Sequence, residues 1–260
     1  MRISAENAPT PTFAPRVTPR LGPAFGGVLR MTWGQHWVLR NIIWATIIIA
    51  ALALVGYLIG SRGGPQGYVN WVNNVLLMMS IPIYAFDAGA RAIREDLKPG
   101  AVDYIITRPV PRWAYAIFKY ISQWLVTATL AGSALGGMLL VGVVLEIPLT
   151  LMPRQIAVLV AAVTAFQALG FLLGSITSRY LLLGLLYAGI VEAAVGNIPL
   201  QLNNLSILRH LWVVLGGPMQ VKGPAGQELA LVFVIGVVLL GGAVLIFSRK
   251  QFMGKKSDDA

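Results

Sequence analysis

Six apolar stretches, each about as long as a lipid bilayer is thick, constrain this chain more than any other feature. They occupy residues 42–60, 69–86, 120–145, 155–178, 180–199 and 229–248. A hydrocarbon core about 30 Å thick is crossed by roughly 20 apolar residues in a helix. Lipid offers no partner to a bare N–H or C=O, so a spanning segment must satisfy its backbone internally. The expectation is an all-α, polytopic membrane protein with six transmembrane helices. Composition agrees: 57% of residues are hydrophobic and 12% charged, against roughly a quarter charged in soluble domains. Segment 69–86 carries Asn70, Asn73, Asn74 and Pro82, tolerable in a span whose one face is buried in protein. Segment 180–199 is interrupted by Glu192, Asn197 and Pro199, which leaves its far end open.

The basic residues set an expected orientation, because cytoplasmic flanks carry the excess of Lys and Arg. With the N-terminus inside, sixteen of the 20 lysines and arginines fall in the cytoplasm, and only Arg62, Arg154, Arg209 and Lys222 fall outside. Both termini and the segment around Arg91 are then cytoplasmic, in the inner membrane of a prokaryote. The formal charge of +10 is spread over these flanks rather than gathered on one soluble face, which argues against nucleic acid. No Cys is present, so disulfides, thiolate metal sites and thiol nucleophiles are excluded. The first apolar run starts after about forty residues without a small-residue cleavage site, so no signal peptide is expected.

Residues 1–20 hold Pro9, Pro11, Pro15 and Pro19 among Thr and Ala, a composition of disordered cytosolic tails. Within residues 21–40, Phe25, Leu29, Trp33 and Trp37 recur at four-residue steps, with Arg30, Gln35 and Arg40 off that stripe. The pattern predicts an amphipathic helix in the headgroup plane, or a cytosolic extension of the first span. Residues 41–248 then form the transmembrane domain, and 249–260 a basic cytosolic tail.

One charged, proline-punctuated interruption breaks the apolar sequence: RAIREDLKPGAVDYIITRPVPRWAYAIFK, residues 91–119. By contrast, the fourth and fifth segments are joined by little more than Ser178 and Arg179. Lys98, Pro99 and Gly100 predict a turn. Residues 101–107 predict a short helical piece ended by Arg108 before Pro109. Val102, Tyr104, Ile105 and Ile106 would form an apolar knob ringed by Asp103 and Arg108, and such a patch on a cytosolic loop suggests a protein partner. The alternative is a solvated linker.

The order Glu95, Gly100, Asp103, Ile105, Ile106, Arg108, Pro109, Val110, Arg112 and Lys119 resembles the first cytoplasmic loop of ABC-2-type ABC transporter permeases, the type V exporter-like fold. Ala101 and Pro111 stand where the family usually has Thr and Ser. The resemblance implies that residues 21–40 are the elbow helix and that 91–112 carry a coupling helix between spans 2 and 3. Contact with the ATP-binding subunit would involve Glu95, Gly100, Val102, Asp103, Tyr104, Ile105, Ile106, Arg108, Pro109 and Arg112. Gly174, Ser175 and Ser178 resemble the family's positions before the tight inner turn. The implied partners are two copies of an ABC ATP-binding subunit and a second permease subunit, as homodimer or heterodimer, in membrane lipid. The implied function is ATP-driven movement, in the direction of export, of a lipid-like, amphipathic or drug-like substrate by alternating access.

This chain has no Gly-x-x-x-x-Gly-Lys-Ser/Thr run to cradle phosphates, and Gly254, Lys255, Lys256 and Ser257 lack the upstream Gly. ATP and Mg would be bound by the partner subunit, with no cofactor on this chain. An intramembrane hydrolase is the competing class. Gly132, Ser133, Ala134, Leu135 and Gly136 do not fit a Gly-x-Ser-Gly turn, and only Glu192 is available as an intramembrane metal ligand. A permease of a metalloenzyme or haem maturation pathway is a further alternative. His36 and His210 fall on opposite sides of the membrane.

Asp87 is expected to pair with Arg91 at i,i+4 spacing. Glu192 lies about 18 Å along its helix from Tyr180, where it would either line a transport path, with Asn197, or cap the short helices that follow. Residues 196–227 contain two apolar runs, which predict re-entrant pieces before span 6. Ala128, Gly132 and Gly136 recur every four residues, a spacing for close helix contact within the chain or between copies.

Overall fold

The computed structural model describes residues 21–98, 110–194, 204–216 and 224–249. Among them there is no strand. The described residues form eight α-helices, in order α1 Leu21–His36, α2 Leu39–Trp71, α3 Ile81–Asp96, α4 Arg112–Val144, α5 Met152–Ile176, α6 Tyr180–Tyr187, α7 Ile207–Leu215 and α8 Ala225–Arg249. Wider π-helical segments, Val72–Ser80 and Ala188–Ala194, continue α2 into α3 and extend α6. In the first of these the Ile81 N–H reaches back five residues to the Leu76 carbonyl.

Among the described residues four helical runs are long and apolar enough to cross a membrane: Leu39–Asp96, Arg112–Val144, Met152–Ile176 and Ala225–Arg249. The first two expected spans both fall within Leu39–Asp96, as two helices that meet at the non-helical Gly64. That run bends at Gly64, whose φ of 68° suits glycine, with Pro65 starting the next turn. Gly56 faces the Trp71 side chain and Gly60 faces Tyr68. Pairs closing symmetrically on Gly64 mean that the chain folds back there as a helical hairpin. The fifth segment supplies a shorter apolar helix, Tyr180–Glu192.

α5 is the centre of the bundle: 67% of its most apolar window is buried, against 6% for the Leu39–Asp96 run. Its contact with α3 is built from small residues. A Cβ on Gly170 would overlap the Phe86 carbonyl, one on Gly89 would overlap the Gln167 carbonyl, and one on Gly174 would sit 2.7 Å from the Ala90 oxygen. The two backbones therefore touch, which is how apolar helices gain packing energy where lipid supplies no hydrophobic drive. Gly132 and Gly136, expected to serve such a contact, have nothing within 4 Å of a built Cβ. The close crossing lies instead on α3 and α5.

Several polar groups in the bundle are paired between helices. Tyr120 donates to the Thr164 carbonyl at 2.9 Å, Trp124 to Thr164 Oγ1 at 3.0 Å, and Gln167 to the Tyr120 carbonyl at 3.1 Å. Asn73, the buried asparagine of the second apolar segment, accepts from Gln155 at 3.0 Å, while Asn70 and Asn74 are outside the core. One-sided burial of that segment, expected from its asparagines, is what the structure has.

α1 ends at His36, and α2 begins three residues later. Phe25 packs edge-on against Phe118 with centroids 5.3 Å apart, and His36 lies 3.3 Å from the Gln123 amide. The stripe read from the sequence thus faces α4 over part of its length. Trp33 and Trp37 stack on each other at 5.6 Å.

Candidate functional site

The C-terminal end of α3 and the first turns of α4 come together in the bundle. Asp96, the last residue of α3, accepts a hydrogen bond from the Tyr115 hydroxyl at 2.9 Å and one from the Lys119 ammonium at 3.2 Å. Tyr115 and Lys119 lie one turn apart on the first turns of α4, so one helix face presents both donors to one carboxylate. The Lys119 and Asp96 side chains are 2% and 6% exposed. A buried charge must be paired and hydrogen-bonded to be tolerated, and each Asp96 oxygen has its own donor. Tyr115 also stacks on Phe247 of α8, and Ile93, Ala116, Tyr120, Phe171 and Phe247 pack beside the pair. Asp96, Tyr115, Lys119 and Phe247 thus tie α3, α4 and α8 to one another at this point.

Of the residues read from the sequence as the coupling surface, Gly100, Val102, Asp103, Tyr104, Ile105, Ile106, Arg108 and Pro109 lie outside the described residues. Glu95 is exposed beside Asp96, and Arg112 opens α4. The sequence reading missed Asp96, and Lys119 entered it only as part of the loop pattern. The available signal was Asp96 at the helix end, with Tyr115 and Lys119 spaced four apart at the next helix start.

Asp87 pairs with Arg91 at 2.8 Å, as its spacing predicts, and the Tyr180 hydroxyl lies 3.4 Å from it. α6 thereby leans on α3 just above the loop root, and Gly184 faces the Phe86 ring.

A second ionic arrangement occupies the opposite end of the bundle. Glu192 accepts from the Tyr187 hydroxyl at 2.7 Å, from Ser206 Oγ at 2.6 Å, and from the backbone N–H groups of Ile207 and Leu208 at 3.0 and 3.1 Å. The first N–H groups of a helix have no intrahelical partner and favour negative charge, so this carboxylate caps α7. Ser206 completes the cap by accepting from Arg209 N–H at 3.2 Å. Further along α7, His210 Nδ1 contacts Glu228 in the first turn of α8, and its Nε2 lies 2.9 Å from the Asn204 carbonyl. Both side chains are buried. Asn197, grouped with Glu192 in the sequence reading, lies outside the described residues.

Among the described residues no cluster of three His, Asp or Glu side chains could hold a metal ion. The arrangement contains polar fastenings at two ends of an apolar bundle. No curated protein matches the chain. The model of the ABC-2 family transporter proteins matches residues 40–251, which takes in the loop root, the apolar bundle and both ionic arrangements, and the chain belongs to that family of multi-pass membrane permeases.

Proposed function

We propose that this chain is the permease subunit of an ATP-driven exporter, working as a pair with two copies of a separate ATP-binding subunit. The Leu39–Asp96 run supplies two spans hinged at Gly64, and 180–194 supplies a fifth. With α4, α5 and α8 they make six, with both termini and residues 97–111 in the cytoplasm. α1 is the elbow helix and residues 101–107 the coupling helix. ATP binding closes the partner subunits, residues 97–111 move with them, and the motion enters the bundle where Asp96 joins Tyr115 and Lys119. α3 passes it to α5 through the Gly89–Gly170–Gly174 crossing. The spans then expose a site or a lateral opening to the other face for a lipid-like or amphipathic cargo. Glu192 ends the path at the outside, where its cap sets the position of α7.

The observation that carries this reading is the buried Asp96–Lys119 pair, which joins the helices on either side of the charged segment 97–111, in a chain that lacks a phosphate loop of its own. A tether needs no buried ion pair at its base, whereas a lever needs a fixed root. The test is copurification. The chain alone should hydrolyse no ATP, and with its cognate ATP-binding subunit it should elute as a complex of two copies of each. Ile105→Asp should break that complex, since an unpaired carboxylate in an apolar cleft costs several kcal/mol. A chain that never retains an ATPase in mild detergent, or an Ile105→Asp variant that assembles normally, would contradict the reading.

A further inference from the structure

A cavity of about 920 Å³ opens between α2, the stretch from Leu76 to Glu95, and α4. Its volume lies at the upper end of the range of small-molecule sites. The same gradient of polarity runs along all three walls, and in the same direction. On α2 the lining passes from Arg40 and Asn41 to Ile48, Ile49 and Leu52. On the second wall it passes from Glu95, Arg91 and Asp87 through Tyr84 to Ile81 and Leu76, and on α4 from Lys119 and Gln123 to Leu130, Ala131 and Ala134; Ser80 and Ser133 also line the apolar limb, each hydroxyl donating to a carbonyl of its own helix. Three helices that agree in this way describe an occupant with one polar end and one apolar end.

Its dimensions follow from helical rise. From Arg40 to Leu52 is about 18 Å and from Lys119 to Ala134 about 22 Å, somewhat more than one leaflet of a 30 Å hydrocarbon core. The polar end lies at the loop root. Donors predominate there: Arg40, Arg91 and Lys119 face two carboxylates, Asp87 and Glu95. Arg91 is held by Asp87, and Lys119 by Asp96 behind the wall. Gln123 and His36 close the floor by their mutual contact. Arg40 is left as a lining cation without an ion pair among the described residues, and its forked guanidinium suits an oxyanion. Glu95 lies exposed at the rim.

We infer that this cavity is a binding site for one acidic, phosphate-headed membrane lipid, with its phosphate at Arg40 and its acyl chain along Ile48, Leu76 and Leu130. This deepens the permease reading by naming a substrate class and by placing the site inside one subunit, beside the Asp96–Lys119 root. Movement of that root would widen or close the headgroup end directly.

The experiment uses the full chain, without any ATP-binding subunit, in phosphatidylcholine vesicles containing a trace of phosphatidylglycerol with a photoreactive group on its acyl chain. Cross-links should concentrate on cavity residues such as Ile48 and Leu130 rather than on the exposed Val237 and Val238 of α8. Unlabelled phosphatidylglycerol should displace them, and diacylglycerol should not. Arg40→Gln should weaken labelling at least about tenfold, the factor expected for one charge-assisted hydrogen bond. Ile49→Trp, which fills the apolar limb more than two turns from Arg40, should abolish it in protein that still elutes as folded. Equal labelling of cavity and α8, labelling indifferent to both variants, or peptides of a second copy cross-linked into the cavity would overturn the inference. Retention of an ATPase is a separate readout, so a failed lipid site and a failed permease assignment give different results.

Discussion

The two ends of this bundle hold a carboxylate in opposite ways, Asp96 buried and Glu192 half-buried. At the loop root, Asp96 is matched by a full positive charge, Lys119, and a phenol, both from another helix. At the far end, Glu192 is matched by two backbone N–H groups, a serine and a tyrosine, with no cation among them. A point-charge pair fixes the distance between two long helices and resists being pulled apart, because separation in an apolar setting leaves two uncompensated charges. A helix cap fixes the start of one short helix and can release to water at lower cost. The first suits an element that transmits force, and the second an element that opens and closes.

The comparison is tested most severely at the root. Lys119→Met leaves Asp96 buried without its cation and should destabilise the protein by about 3–5 kcal/mol, read as loss of monodisperse protein or a large drop in Tm. Adding Asp96→Leu should recover most of that loss, because a buried pair replaced by apolar side chains is often neutral. If the single variant is as stable as the parent, the root is not an ion-pair fastening.

A smaller effect is expected at the far end. Glu192→Ala removes the acceptor of two helix N–H groups and should cost about 2 kcal/mol. Hydrogen exchange should rise over α7 and leave α3 and α4 unchanged. Exchange rising uniformly across the bundle would mean that the cap holds the fold rather than one helix.

The smallest effect belongs to Asp87. Its pair with Arg91 joins neighbours on one helix, and the Arg91 side chain is 66% exposed. Asp87→Asn should change stability by no more than about 0.5 kcal/mol. A loss approaching that of Lys119→Met would show that the Tyr180 contact, and with it α6, depends on this carboxylate.

What could be read from the sequence followed from local pattern. The apolar runs became helices, the asparagines of residues 69–86 marked a one-sided span, and Asp87 found Arg91 through helical spacing alone. Relations between distant helices were not legible. Asp96 and Lys119 stand 23 residues apart across the interrupted segment, and no periodicity links them. His210 and Glu228 meet only because α7 packs on α8. The glycine spacing on α4 was conspicuous, yet Gly132 and Gly136 meet nothing among the described residues, whereas the plainer Gly170 and Gly174 make a close backbone crossing. Spacing shows that a small-residue face exists, and only the fold shows what meets it. Glu192 could be read two ways because the N–H groups it caps lie fifteen and sixteen residues further on.

The central claim is that the loop root transmits work and the far-end cap does not. It is tested most directly by measuring transport per ATP hydrolysed in vesicles carrying the chain with its cognate ATP-binding subunit. The Asp96→Leu/Lys119→Met protein, folded and assembled but without its ionic root, is compared with Glu192→Ala. The root variant should keep ATP hydrolysis while transport per ATP falls at least about tenfold, as for a loss of 1.4 kcal/mol or more in coupling. Glu192→Ala should change the rate of transport with little change in that ratio. A root variant that moves as much cargo per ATP as the parent would contradict the account.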